Sequence, residues 1–95
     1  MTAYVIVDLD VKDLAALEGY RRDVPATVAK YGGRFLVRGG ASETLEGDWA
    51  PKRMVMLEFP SMDALKRWYH SEEYKPLIKL RQAHSTGDLI AVEGV

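Results

Sequence analysis

The sequence of 95 residues is 47% hydrophobic and 28% charged, carries a net charge of −1 and contains no cysteine. This length predicts one domain spanning residues 1–95, and the near-neutral charge argues against electrostatic binding of nucleic acid or anionic lipid. The missing cysteines exclude disulfides, thiolate metal sites and cysteine nucleophiles. No apolar run approaches the ~20 residues that span a bilayer, and the N-terminus lacks the basic start of a signal peptide. We therefore expect a cytoplasmic protein.

The chain begins with a predicted strand and a predicted helix. Hydrophobic residues occupy both faces of residues 3–9, which is typical of a central strand covered on two sides. Apolar side chains then recur at three- and four-residue steps through residues 14–31, which predicts an amphipathic helix with Asp13 as its N-cap. Pro25 lies inside this helix and predicts a kink or a break. Gly32 is placed to end the helix as a left-handed residue.

A β-hairpin with a long polar loop is predicted next. Its strands are residues 34–38 and 53–59, and residues 41–52 form a loop that is long for a hairpin and therefore a candidate for function. The pair Gly39–Gly40 suggests a bulge or a close backbone approach where the first strand ends. Alternation along that strand predicts that three side chains point away from the helices, namely Arg34, Leu36 and Arg38.

The second half of the chain predicts further helix and a last strand. Ser61 is a predicted N-cap, and Trp68 belongs to the buried stripe of the helix that follows. Ser71 resembles a second N-cap, and Pro76 limits how regular the next segment is. Residues 88–93 form the last predicted strand. The order β-α-β-β-α-β predicts an α+β fold of the ferredoxin-like type with a four-stranded antiparallel sheet.

Six segments carry a resemblance to a known family. They are YGGRFLVRGG (31–40), LEG (45–47), R-MVMLEFPS (53–61), W-Y-SEEY (68–74), LR (80–81) and DLIAVEGV (88–95). In this order they resemble the DUF1330 family over nearly the whole chain. The resemblance implies ferredoxin-like subunits of the dimeric α/β-barrel group, in which two subunits put their sheets face to face. That group includes cofactor-free monooxygenases, muconolactone isomerase, haem-dependent chlorite dismutase and uncharacterised stress proteins.

The sheet face away from the helices is predicted to carry an apolar patch, which consists of Tyr4, Ile6, Leu36, Met54 and Met56. Large exposed apolar patches usually mark interaction surfaces, and this one is too apolar to leave in water on so small a chain. It suits either a homodimer interface or a cleft for a small organic molecule. Those five residues and Tyr74, which opens a segment near Pro76, are the candidate ligand-binding residues.

Charged residues predicted on the same face are the candidate catalytic group, namely Arg34, Arg38 and Glu58. Arg38 and Glu58 would lie on adjacent strands, where the arginine could hold a carboxylate or an enolate and Glu58 could act as a base. The alternative is a cross-strand ion pair that only fixes the sheet or the dimer.

Other features of the sequence point to structure rather than to chemistry. His70 and His84 are the two histidines, and their separation matches no metal-site spacing, so no metal is predicted. The resemblance alone leaves haem open, through a lone histidine. Trp68 at helical spacing predicts core packing. The glycines form no phosphate-binding or dinucleotide-binding motif and no G-x-S-x-G is present, so neither a dedicated cofactor nor a nucleic-acid partner is expected.

Two functions therefore remain open for the predicted homodimer. The first is an enzyme or binder that acts on a small carbonyl, carboxylate or aromatic compound without a dedicated cofactor. The second is a non-catalytic module for dimerisation or for interaction with another protein. Fold alone does not decide between them, whereas a cavity with charged walls that survives dimerisation would favour the first.

Overall fold

The computed structural model describes residues 1–95 and contains one four-stranded sheet with helices. The elements in chain order are β1 (Ala3–Val11), a 3-10 turn (Ala15–Leu17), α1 (Glu18–Lys30), β2 (Arg34–Arg38), β3 (Met54–Phe59), α2 (Met62–Tyr69), α3 (Lys75–His84) and β4 (Ser85–Glu93). The sheet order is β2-β3-β1-β4 with every neighbouring pair antiparallel. The predicted ferredoxin-like α+β fold is confirmed, and its second helical region is divided into α2 and α3.

Helices cover only one face of the sheet. The Cα atoms extend over 35 × 33 × 16 Å, and the short dimension holds one sheet and one helix layer. The largest fully buried side chains lie between these two layers: Trp68, Tyr74, Phe59, Val5 and Val28. β1 is an inner strand, as its two apolar faces predicted, and its odd-numbered residues supply the core. The other face of the sheet has no helix over it.

Local capping follows the sequence closely at most ends. Ser61 Oγ accepts the Ala64 amide at the start of α2, and Gly32 adopts φ +79° directly after α1. Asp13 accepts the Ala16 amide, so it caps the 3-10 turn that precedes α1 rather than α1 itself. Ser71 Oγ bridges α2 and α3 by donating to the Trp68 carbonyl and accepting the Tyr74 amide.

The helix α1 continues through Pro25, so the break considered for this position does not occur. Proline has no amide hydrogen, and the carbonyl four residues earlier therefore loses its helical donor. That carbonyl belongs to Arg21, and the Arg38 guanidinium donates to it at 2.6 Å. A side chain from β2 thus satisfies the backbone group that the proline leaves free.

A bulge in β2 reverses the predicted position of Arg38. Phe35 pairs with Leu57 and Val37 pairs with Met56, so Leu36 is an extra residue between the two pairs. One extra residue resets the two-residue period of a strand. Arg38 then pairs with Val55 on the helix-covered face, so the prediction that Arg38 shares a face with Glu58 is wrong.

Two glycines accommodate close approaches near the strand ends. Gly39 adopts φ +71°, which favours glycine, and a Cβ at this position would collide with the guanidinium of Arg53, whereas the bulge lies earlier in the strand. Gly87 adopts φ +152°, and a Cβ here would collide with the Asp8 carbonyl of β1. This glycine lets β4 begin at Ser85, three residues before the predicted start.

Candidate functional site

A cavity lies between the sheet and the helix layer. Its floor consists of aliphatic side chains of β1, β3 and β4 that face the helices: Val7, Leu9, Val55, Leu57 and Leu89. The cavity volume is about 50 Å³, which is room for roughly four water molecules. Thirteen of its 17 lining residues are hydrophobic, so the few polar groups in its wall define its chemistry.

The inner part of the cavity wall carries two tyrosines and an arginine. The hydroxyls of Tyr20 and Tyr74 lie 2.8 Å apart, and Arg81 Nη1 donates to the Tyr74 hydroxyl at 2.9 Å. Tyr74 is fully buried, and its ring stacks on Trp68 with centroids 4.1 Å apart. Burial, followed by the neighbouring Tyr20 oxygen, raises the pKa of Tyr74 far above its usual value, so this hydroxyl stays neutral at physiological pH.

Arg81 is a buried cation without an acidic partner. Only 6% of its surface is exposed, and none of the six ion pairs of the protein includes it. Burial acts to lower the pKa of the guanidinium, but the phenolic oxygens of Tyr74 and Tyr20 outweigh burial and leave the pKa above its ordinary value. A buried charge is costly unless it is paired, so this uncompensated guanidinium beside a cavity is an unusual feature.

Three further arginines line the cavity, namely Arg21, Arg38 and Arg53. Arg21 and Arg38 are exposed, so this part of the wall is the mouth of the cavity. None of them takes part in an ion pair. Burial, and then the charges of Arg21 and Arg38, lower the pKa of Arg53. Charges that lower the pKa of Arg53 in this way are close to it in space, so the three side chains form a cationic cluster at the mouth.

The position of Arg38 in this cluster is fixed from two sides. Its guanidinium donates to the Arg21 carbonyl that Pro25 leaves free, and it lies over the Phe35 ring at 4.6 Å from the centroid. The two contacts use one N–H and one face of the guanidinium. The remaining N–H groups are available to an acceptor, because arginine carries five donors.

The open sheet face holds most of the residues predicted to bind a ligand. Tyr4, Ile6, Met54 and Met56 lie there, each partly buried. The row across the four strands is Val37, Met56, Ile6 and Ile90. Leu36, the extra residue of the bulge, is 41% exposed, and Ile90 on the outer strand is 54% exposed. The predicted apolar patch is therefore present, with Val37 and Ile90 added to it.

The charged residues predicted for catalysis are divided between the two faces. Arg34 and Glu58 lie opposite each other on the open face and form an ion pair at 3.1 Å. Arg38 lies at the cavity mouth on the other face. The structure therefore brings Arg34 and Glu58 together and separates Arg38 from both.

The loop between β2 and β3 returns to the sheet at Asp8. The carboxylate of Asp8 accepts the Trp49 indole N–H at 3.0 Å and the Lys52 amide at 2.9 Å. These hydrogen bonds, led by that of Trp49, hold the pKa of the Asp8 carboxyl below its usual value. The Trp49 side chain remains 61% exposed and lies beside the open face.

The structure also locates three other residues that the sequence analysis considered, namely Tyr74, His70 and His84. Tyr74, predicted to edge a cleft on the open face, lies instead under the helices in the wall of the cavity. His70 follows the last residue of α2 and His84 ends α3. No group of three or more His, Cys, Asp or Glu residues has a metal-binding arrangement, and no helix has the length and apolar character to cross a membrane.

Sequence reasoning missed Tyr20, Arg21, Arg53 and Arg81 as site residues. A signal was present for Arg81, since it occupies the apolar stripe of α3 at four residues from Leu77. Arg21 occurs at the spacing of the α1 stripe as well, but its side chain is exposed. An arginine at a core position of an amphipathic helix is uncommon and marks a buried polar site. No comparable signal identifies Tyr20, whose partner Tyr74 is 54 residues away.

The fold and the cavity define a ferredoxin-like α+β protein with a largely apolar pocket between its layers, in which four arginines are the charged groups. The sequence matches the model of a domain of unknown function, DUF1330, over residues 2–95, and the chain belongs to this family. Comparison with curated proteins gives no sequence match.

Solved structures of the same fold include proteins with and without a described activity. RPA0582 from Rhodopseudomonas palustris, of unknown function, is 20% identical with a TM-score of 0.80, over 99% of this chain and 82% of that one. A dimeric ferredoxin-like protein of unknown function from Jannaschia sp. CCS1 is 11% identical with a TM-score of 0.74, over 99% and 100%. SnoaB, a cofactor-independent oxygenase from Streptomyces nogalater, is 16% identical with a TM-score of 0.67, over 99% and 93%. At these identities the similarity shows the fold.

Proposed function

We propose that the protein binds a small organic molecule in the cavity on the helix-covered face, with an oxygen of the ligand directed at Tyr20, Tyr74 and Arg81. The observation that carries this proposal is the buried guanidinium of Arg81, which has no carboxylate partner and borders an apolar cavity. A ligand carbonyl, enolate or carboxylate oxygen would supply the missing acceptor. The narrow cavity favours a slender or flat molecule.

The chemistry available to this cluster is stabilisation of negative charge. Tyr74 stays neutral because its pKa is raised, so it donates a hydrogen bond rather than acting as a base. Arg81 adds a fixed positive charge in a site of low polarity, where such groups stabilise a developing oxyanion strongly. Glu58 faces the opposite side of the sheet, so the base predicted at that position does not reach this cavity. No dedicated cofactor is required, and the cofactor-independent oxygenase SnoaB shares the fold.

The site can be located by methyl NMR, because neighbouring residues of the same strands report on opposite faces. Val7 and Leu89 line the cavity, whereas Ile6 and Ile90 lie on the open face. A panel of small ketones, phenols and monocarboxylates is titrated into protein labelled at Ile, Leu and Val methyl groups. We expect binders to shift the Val7 and Leu89 signals and to leave Ile6 and Ile90 in place. Shifts confined to Ile6 and Ile90, or binders from no class, would contradict the proposal.

We also propose that the open sheet face forms a homodimer interface. The support is the continuous apolar row of Val37, Met56, Ile6 and Ile90, which no other part of the chain covers. The Jannaschia protein of the same fold is described as dimeric. Such a use of the face leaves the cavity on the other side free, so the two proposals are compatible. The ion pair of Arg34 and Glu58 would then fix the sheet or the interface, and their catalytic role stays a prediction, as does a cytoplasmic location.

The dimer is tested by light scattering after size exclusion. We expect the wild-type chain to elute as a dimer and Ile6→Lys to elute as a folded monomer. Leu14→Lys is the matched control, because Leu14 is 51% exposed and borders the cavity rather than the open face. A monomeric wild type, or a dimeric Ile6→Lys, would remove the interface from the open face.

A further inference from the structure

The arginines at the mouth extend the proposed site to a second charged position. The floor of the cavity includes one complete row across the sheet, from Arg38 on the outer strand β2 through Val55 and Val7 to Leu89 on the outer strand β4. That row covers three strand spacings, or roughly 14 Å. Arg38 therefore stands at one edge of the sheet, and the cavity runs from it toward the opposite edge.

The second cationic group lies toward that opposite edge. Arg81 borders the cavity and also a second depression lined by Gly87 and Leu89 of β4. All the Arg81 nitrogens that are fully buried have hydrogen-bond partners. One Arg81 nitrogen donates a hydrogen bond to Tyr74. Any Arg81 nitrogen without a hydrogen-bond partner is therefore accessible to solvent or to a ligand. The cavity is thus an apolar passage with a guanidinium toward each end.

No acid of this chain neutralises either end. The six ion pairs include none of the four cavity arginines, and the lining residues of the cavity include no Asp or Glu. Glu18 shares a shallow groove with Arg21, Arg22 and Arg38, and Asp88 lines the second depression together with Arg81, but neither acid forms an ion pair with a cavity arginine. By contrast, Arg22, the neighbour of Arg21, is paired with Asp23. What distinguishes the arginines that face the cavity is therefore that none of them has an ion-pair partner.

We infer that the cavity takes a molecule with two acidic groups separated by an apolar body, one group at Arg81 and the other at Arg38 and Arg53. The inference rests on the proposed binding function and specifies its ligand class as a slender dicarboxylate or a carboxylate with a second oxyanion. Guanidinium groups bind carboxylates through paired hydrogen bonds, so each end contributes both affinity and position. Ligand length is set by the distance between the two ends.

The test compares matched acids by calorimetry on the full chain. The probes are hexanoate with hexanedioate and octanoate with octanedioate, so that each pair differs by one carboxylate. We expect one diacid to bind at least roughly tenfold more tightly than its monoacid, the size of one charged hydrogen-bonded contact. In Arg38→Gln and in Arg53→Gln this ratio is expected to fall toward one.

Arg34→Gln is the matched control, since Arg34 belongs to the same strand as Arg38 and carries the same charge on the opposite face. We expect it to keep the wild-type ratio. Equal affinity of the monoacid and the diacid would overturn this inference while the binding function stands. A ratio that falls equally in Arg34→Gln would assign the preference to general charge and overturn it too. If none of the four acids binds, the inference falls, whereas the binding function is decided separately by the ketones and phenols of the methyl titration.

Discussion

Arg34 and Arg38 belong to one five-residue strand and end in opposite environments. Arg34 faces the open side of the sheet and is paired with Glu58 at 3.1 Å. Arg38 faces the helix layer, has no acidic partner, and donates to a backbone carbonyl. The bulge at Leu36 produces this difference, because without it both side chains would share the open face.

The difference separates two kinds of surface built on one sheet. On the open face the apolar row is continuous, and Arg34 is paired with Glu58. On the helix-covered face four arginines border a cavity without any acid in its wall. The first arrangement suits burial against another copy, whereas the second leaves four guanidinium groups without an acidic partner, which is the basis of the proposed ligand site.

The largest expected effect on the free energy of unfolding concerns Tyr74, where two substitutions separate the packing of the ring from the hydrogen bonds of the hydroxyl group. Tyr74→Ala removes a fully buried ring that stacks on Trp68, and we expect a loss of about 3–5 kcal/mol in the free energy of unfolding. Tyr74→Phe keeps the ring and removes the acceptor of Arg81, with an expected loss of about 1–2 kcal/mol. Tyr4→Phe on the open face is the control and should change little. Chemical denaturation measures all three, and equal losses for the two Tyr74 variants would contradict a separate polar role.

A smaller effect on the free energy of unfolding, of opposite sign, is expected for a substitution of Arg81. Replacing a buried, unpaired cation by an apolar side chain of similar length removes a desolvation cost. Arg81→Met should therefore leave stability unchanged or raise it by about 1 kcal/mol, while the methyl shifts that report ligand binding disappear. A loss of more than about 1 kcal/mol would show that Arg81 serves the fold rather than a ligand.

The architecture was predictable because the strand alternation and the helix caps are local signals. Tyr4, Ile6, Met54 and Met56 lie on the face that alternation assigned to them. Arg38 does not, since the bulge involves Leu36, a residue with no bulge signature, and one inserted residue changes the face of everything after it. Alternation is reliable only as far as the next irregularity of the strand.

The site was less predictable because its members meet only through tertiary structure. Tyr20 and Tyr74 are 54 positions apart, and Asp8 and Trp49 are 41 positions apart. That Arg81 lacks an acidic partner is a property of every element packed around it, not of its own helix. Its position in an apolar stripe was the available signal, and it identified a buried arginine without identifying the cavity beside it.

A still smaller effect is expected from the proline that orients Arg38. Pro25→Ala returns a helical amide to the Arg21 carbonyl and so competes with the Arg38 guanidinium. The free energy of unfolding should change by less than about 1 kcal/mol, because the restored helical bond is offset by greater freedom of the unfolded chain. Relaxation of the Arg38 side-chain nitrogen should show increased motion, and the diacid preference should decrease. An Arg38 side chain that stays rigid would mean that Phe35 alone positions it.

The smallest and most local effect concerns the open side, where Asp8 holds the loop through the Trp49 indole. The pKa of this carboxyl is lowered from 3.8 in the folded chain, first by the Trp49 hydrogen bond and then by the Lys52 and Arg53 amides. A carboxyl with a depressed folded pKa stabilises the structure above its unfolded pKa and loses that contribution as the pH falls through the folded pKa. Between about pH 5 and about pH 2 the Trp49 indole N–H signal should therefore move toward that of a free indole.

The Trp68 indole, which donates to Thr27 in the core, is the internal control. Asp8→Asn should shift the Trp49 signal at neutral pH and abolish its titration. If both indole signals moved together, the acid transition would be global unfolding, and the loop would have no anchor separate from the core.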